Sequence, residues 1–219
     1  MKQKAKRDLI QEIVRKSEQV HKRGTRRDIV ARRVRPLVFG YRMLRQLPKT
    51  KWRDEWLKYG PIGYVACVEG YVRLVCRDLI DRNESCRSNV ADLKYQVDLA
   101  VLAKMQKTST TIGEFVAHKI SVNGVSDIDA QLSKIMGQPF LKLIASSRVS
   151  DRQPKTSSEL FPNMVGRVQR LFELRHQYAH EIGTKKAVRV RHIDQSMESA
   201  ALFIAIADYA LVSQGYLDT

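Results

Sequence analysis

Val65, Val68, Val72, Val75 and Leu79 recur at intervals of 3, 4, 3 and 4 residues. That rhythm lines one side of an α-helix with apolar side chains, and it does not fit the two-residue alternation of a half-buried strand. Cys67, Tyr71 and Ile80 widen the stripe. Glu69 and Arg73 sit four apart on a neighbouring face, a spacing at which they can pair. Gly60-Pro61 precedes the stripe and marks where this helix begins.

The remaining segments carry the same signal. Residues 5–20 place Leu9, Ile10, Ile13, Val14 and Val20 on one side, and Gly24 ends that helix. A second stretch runs from Asp28 to Leu47, weakened by Pro36 and Gly40, and Pro48 to Lys51 form a turn. Further helices are expected over Asn89–Met105 and Thr111–His118. Another begins at Ser126, which can cap with Asp129 reaching back, and ends at Gly137 and Pro139. Residues 146–158 read as a surface loop. Thr156-Ser157-Ser158-Glu159 is a second capping box, and it opens a helix with Phe161, Val165, Val168, Phe172 and Arg175 on one stripe. The last helix buries Ile193, Met197, Ala201, Ile204 and Leu211, and Gly215 closes it. No strand series, repeat or low-complexity tract interrupts the pattern. The fold class is all-α: a bundle of four or five main helices with accessory helices.

Charge divides the chain. The net charge is +16. Residues 1–60 hold 19 Lys and Arg against 6 Asp and Glu, whereas the other 159 residues hold 20 against 17. We therefore separate a basic helical segment, 1–60, from a helical bundle, 61–219. A basic segment on a nearly neutral body is the footprint of a polyanion-binding protein. Arg26, Arg27, Arg32 and Arg33, with Lys185 and Lys186 in a second basic run, are the residues expected to meet nucleic acid. The same charge also fits a solvated helix or an acidic protein partner. The three cysteines form no CxxC pair and favour a reducing compartment. The N-terminus lacks the apolar core of a secretion signal, and no uninterrupted apolar run of membrane-spanning length is present, so no membrane is expected and a cytoplasmic protein is.

The chemistry concentrates in Leu174-Arg175-His176-Gln177-Tyr178-Ala179-His180-Glu181. Arg175 falls on an apolar helix stripe, where a charged group needs a partner. Glu69 and Glu173 are the partners on offer. His176 and His180 are four apart, but two ligands do not make a metal site, and no metal or cofactor is expected. Arginine can neutralise a phosphate, and histidine titrates near neutrality. On one straight helix Arg175 and His180 lie about 140° apart at 100° per residue. They meet on one phosphate only if the helix ends between them or a second subunit completes the site.

This arrangement resembles the HEPN superfamily, small helical bundles marked by Arg, a polar residue, a few more positions, then His. Here those are Arg175, His176 and His180. The resemblance covers roughly residues 61–219 and includes the helix Val68-Glu69-Gly70-Tyr71-Val72-Arg73. It is nearest to the branch of prokaryotic stress and defence genes that includes the RiboL-PSP-like group. It implies a HEPN-like up-and-down bundle and a metal-independent endoribonuclease acting in defence or stress response. His180 would be its general acid or base, and Arg175 its phosphate ligand. His176 would steer the site and Glu69 orient Arg175. The implied partners are RNA, a second copy of the chain, and an antitoxin or defence-system protein. One toxin subgroup carries a tyrosine two residues after the histidine, where this chain has Ile182. A non-catalytic helical module binding nucleic acid or protein is the alternative, and a helical DNA-binding regulator is a third reading.

Overall fold

The computed structural model describes residues 26–91, 99–149, 153–180 and 190–218, with Arg27 and His180 placed by their backbone alone. The expected helix over 5–20, its end at Gly24, and Lys185 and Lys186 lie outside the described residues. Within them the chain is all-α. Its helices are α1 (Arg26–Gln46), α2 (Lys51–Leu57), α3 (Tyr59–Arg82), α4 (Glu84–Ala91), α5 (Leu99–Lys107) and α6 (Ile112–Lys119). They continue with α7 (Val125–Met136), α8 (Phe140–Ser146), α9 (Ser157–Leu160), α10 (Met164–His180) and α11 (Val190–Ser213). The sole β element among the described residues is an isolated antiparallel bridge between Arg148 and Thr156.

The Val65–Leu79 stripe forms the centre. Val68, Val72, Val75 and Leu79 are wholly buried, and the widening residues Cys67, Tyr71 and Ile80 are buried beside them. Helix α3 can be apolar on several sides because α1, α2, α4, α6, α7, α10 and α11 all pack against it. Helices α10 and α11 form the closest pair. The Phe140 and Phe203 rings meet edge to face at 6.3 Å and tie α8 to α11. Helix α11 has the length and composition of a membrane span, yet 61% of its apolar window is buried inside the bundle, the position of a core helix.

Local chemistry sets the helix ends. Thr111 caps α6 and Thr156 caps α9, each in a reciprocal capping box with Glu114 or Glu159. The second box closes only a four-residue helix, and α10 starts afresh at Met164. Ser126 does not cap α7. Gly124 occupies that position, and Asp127 accepts a hydrogen bond from the Asn123 amide at 3.0 Å. Asp129 instead receives the Leu141 amide at 2.9 Å, fastening α7 to α8. Gly137, at φ 71°, ends α7 in the left-handed region that a side chain disfavours. Helix α1 continues through Pro36, whose exposed position puts the lost backbone bond on the solvent side. Helices α2 and α8 are additional to those expected from the sequence.

Helix α1 lies antiparallel along α3. Its Tyr41, Leu37 and Arg33 stand over Gly60, Gly63 and Gly70 of α3. A β-carbon on Gly63 would come within 2.8 Å of Leu37 Cδ2, so glycine sets the closeness of this approach. Val30, Tyr41 and Leu57 join the same hydrophobic core as the later helices, and residue 60 falls inside α3. The described part of the basic segment is therefore packed into the bundle.

Arg26 corrects the sequence reading. It does not face a polyanion. Its side chain is 7% exposed, with Nε donating to Asp208 Oδ1 at 2.6 Å and Nη1 to Asp78 Oδ2 at 2.9 Å. Burial alone lowers its pKa, but Asp208 and Asp78 outweigh burial and raise it, so the guanidinium stays charged. Arg77 also binds Asp78, so two cations face two carboxylates. Removing one member of a buried pair strands the other, at a cost of about 3–5 kcal/mol. Arg26→Met is expected to lower unfolding free energy by about that amount in urea titration; a loss under about 1 kcal/mol would show that the cluster does not fix α1.

Burial also silences the thiols. It pushes Cys76 up to about 12 and Cys86 to about 11, and raises Cys67. An aromatic disulfide reagent at mildly alkaline pH is expected to label none of the three in the native protein and all three in denaturant. Fast native labelling would place a cysteine at the surface.

Candidate functional site

The Arg175 stripe of α10 turns toward α3. Leu171, Phe172 and Leu174 are buried in the turn before it, which fixes where Arg175 emerges. Its Nη2 donates to Glu69 Oε1 at 3.1 Å, joining residues 106 positions apart. The structure thus brings together Arg175 and Glu69. It does not make the other contacts that spacing allowed. Glu173 pairs with Arg170 at 2.8 Å, and Arg73 donates to the Ala117 and His118 carbonyls at the end of α6.

The pair sits near the surface. The Arg175 and Glu69 side chains keep 32% and 24% of their exposure. One guanidinium nitrogen holds the carboxylate, and about a third of the arginine side chain stays accessible to solvent. His176 is exposed on the next position of α10, and Tyr178 is half-buried. Burial raises the Tyr178 pKa, with Arg170 opposing, so its hydroxyl stays protonated near neutrality.

Around Tyr178 the structure gathers residues that the sequence did not single out. Burial, followed by the Asp194 carboxylate, raises the pKa of Tyr41 on α1, and Tyr178 adds a smaller rise. Asp194, in the first turns of α11, pairs with Arg45 at 2.8 Å. The last turn of α10 therefore stands where α1 and α11 meet. No local pattern marks Asp194 or Arg45. Their relation to Tyr178 exists only once three helices are assembled.

Helix α10 remains helical through His180, so the helix does not end between Arg175 and His180. Their backbone positions stay about 140° apart around one axis. Arg33, expected at a nucleic-acid surface, is exposed, with Nη1 3.7 Å from where a Gly70 β-carbon would lie, beside Glu69 in sequence. Arg32 is exposed on α1. Among the described residues no three His, Cys, Asp or Glu side chains gather as a metal-ligand set.

Compared with known proteins, the chain shows no significant match to any family model, curated protein or solved structure.

The geometry sets how much Arg175 matters to stability. Exposed or half-exposed pairs contribute about 0.2–1 kcal/mol. A double-mutant cycle of Arg175→Met and Glu69→Gln is expected to give coupling in that range, with helicity unchanged. Coupling above about 3 kcal/mol would mark the pair as a buried structural clamp.

Proposed function

We propose that the chain is a metal-independent endoribonuclease of HEPN type, cytoplasmic and acting in prokaryotic defence or stress response. The observation that carries this reading is the Arg175–Glu69 contact: an arginine on a core stripe, held by a carboxylate from another helix, with its side chain still partly exposed. Arg175 would grip the non-bridging oxygens of an RNA phosphate and stabilise the charge that grows on them. The ribose 2′-hydroxyl attacks the adjacent phosphorus and loses its proton. The bond to the 5′-oxygen breaks, and that oxygen takes a proton. His180 supplies the acid or base for these transfers. The products are a 2′,3′-cyclic phosphate and a 5′-hydroxyl.

The unbroken helix keeps Arg175 and His180 about 140° apart around one axis, which supports a two-subunit site. We therefore include a homodimer in the proposal, with Arg175 and His180 contributed by different copies. An antitoxin or defence-system partner fits the same reading as its control. The second reading, a non-catalytic module that binds nucleic acid, is favoured by Arg175 being already engaged with Glu69.

The test is cleavage of end-labelled RNA in excess EDTA by wild type, Arg175→Ala and His180→Ala, with end-group analysis. Wild type is expected to yield 2′,3′-cyclic phosphate ends, and each variant to lose at least about a hundredfold, the lower range for a general acid–base group. Purified variants that cut as fast as wild type would sink the assignment. Salt-sensitive RNA binding without cleavage by wild type would favour the second reading.

A further inference from the structure

Helix α2 exposes what most helices of its size bury. Trp52 and Trp56 are the chain's two tryptophans, and they stand one turn apart, 58% and 49% exposed. Tyr59, at the start of α3, is 62% exposed. The rings form a ladder of tilted rungs, with centroids 6.1 Å apart and planes at 59° from Trp52 to Trp56, and 5.7 Å and 42° from Trp56 to Tyr59. Helix α1, which packs against α2, carries the same mixture. Its Arg32, Arg35, Phe39, Arg42 and Met43 are all exposed and fall within an arc of about 100°.

Charge selects the occupant. The acidic residues of α2 are already neutralised, Asp54 by Arg53 at 2.8 Å and Glu55 by Lys58 at 2.6 Å. Lys49 and Lys51 are exposed beside the ladder. A lipid surface asks for a continuous apolar face with the cations on its flank. Here arginines interleave with Phe39 and Met43 on one arc. Rings set among cations are the design of a single-strand binding surface, where bases stack and phosphates meet Lys and Arg.

We propose that Trp52, Trp56 and Tyr59, with the exposed arginine face of α1, form a docking platform for single-stranded nucleic acid. The platform uses neither Arg175 nor Glu69, and its role does not depend on cleavage. Bases lie against the ring ladder, and the backbone follows Arg32, Arg35 and Arg42 along α1. Stacking is indifferent to the sugar, so the platform takes RNA and DNA strands alike.

The tryptophans report on the platform directly. The full chain is titrated with an oligodeoxythymidylate of about 16 nucleotides, near the upper site size for one such groove. That strand has no 2′-hydroxyl, so binding is read apart from the nuclease proposal. Saturable quenching of tryptophan emission is expected, while a duplex of the same length gives none at equal concentration. Trp56→Ala is expected to weaken binding about tenfold, as loss of one stacked base does, with Trp56→Phe restoring most of it and circular dichroism unchanged in both. Heparin, which has charge but no bases, is expected to compete without quenching. Binding of the oligonucleotide with no change in emission, or unaltered affinity in Trp56→Ala, would overturn the proposal. So would a blue shift on phosphatidylserine vesicles with no response to the oligonucleotide, which would assign the surface to a membrane.

Discussion

The Arg26 guanidinium, bound to Asp78 of α3 and Asp208 of α11, decides where α1 sits on the bundle. A buried cation costs several kcal/mol in lost hydration, and only well-placed carboxylates offset it. Two are supplied, and Arg77 also binds Asp78, so two cations face the two carboxylates. The arrangement has one register. Sliding α1 by a residue would withdraw the arginine from both carboxylates and leave buried charges unpaired. With Arg26 fixed at one end, the antiparallel run over Gly70, Gly63 and Gly60 brings Tyr41 and Arg45 to the start of α11. The placement of the rest of α1 follows from that anchoring: Arg33 over Gly70, and the arginine and aromatic arc facing outward.

Hydrophobic burial and polar bonds divide the work between them. The Val65–Leu79 stripe attracts helices to α3 without specifying their angle. The specific choices come from short polar contacts. Asp81 receives the Thr111 hydroxyl at 2.6 Å and the Gly113 amide at 2.9 Å, which seats the start of α6 on the end of α3. Asp129 does the same for α8, and Gln169 accepts the Val125 amide at 3.1 Å to join α10 to α7. Contacts of this kind are individually modest, about 1 kcal/mol. They work by making alternative packings leave polar groups unsatisfied.

Periodicity made the core helices legible. The stripes of α3, α10 and α11 each run long enough to be read; that of α3 is wholly buried, whereas in α10 Val168 and Phe172 are buried, Val165 is half-buried and Phe161 lies before the helix. Ala201 and Ile204 of the last stripe are only half-buried, with Ala200 and Phe203 taking the deeper places. Short helices escaped where they carry few apolar residues of their own. Helix α2 buries Leu57 alone, and its tryptophans point outward, so no stripe announces it. The capping box is legible at Thr156, whereas at α7 Gly124 takes the place expected of Ser126 and Asp129 accepts the Leu141 amide instead. Within the site, Arg175 stood out because a charge interrupted a stripe, and Glu69 was named as a partner. The choice of Glu69 over Glu173 required the packing of α10 on α3, which no local spacing encodes.

The charge count of residues 1–60 overstates the surface available to a polyanion. Arg26 is spent inside the core, and Arg45 and Arg53 hold Asp194 and Asp54. Lys58 holds Glu55. What remains outward on α1 includes Arg32, Arg35 and Arg42, which share a face with Phe39, and α1 packs against the helix that carries the two tryptophans. A purely electrostatic sheath would not need exposed rings, and a purely apolar interface would not tolerate the arginines between them. The two features coexist most economically where the ligand itself has a charged backbone and flat, apolar faces. That combination belongs to an unpaired nucleic-acid strand, whose bases are free to leave one another for protein rings.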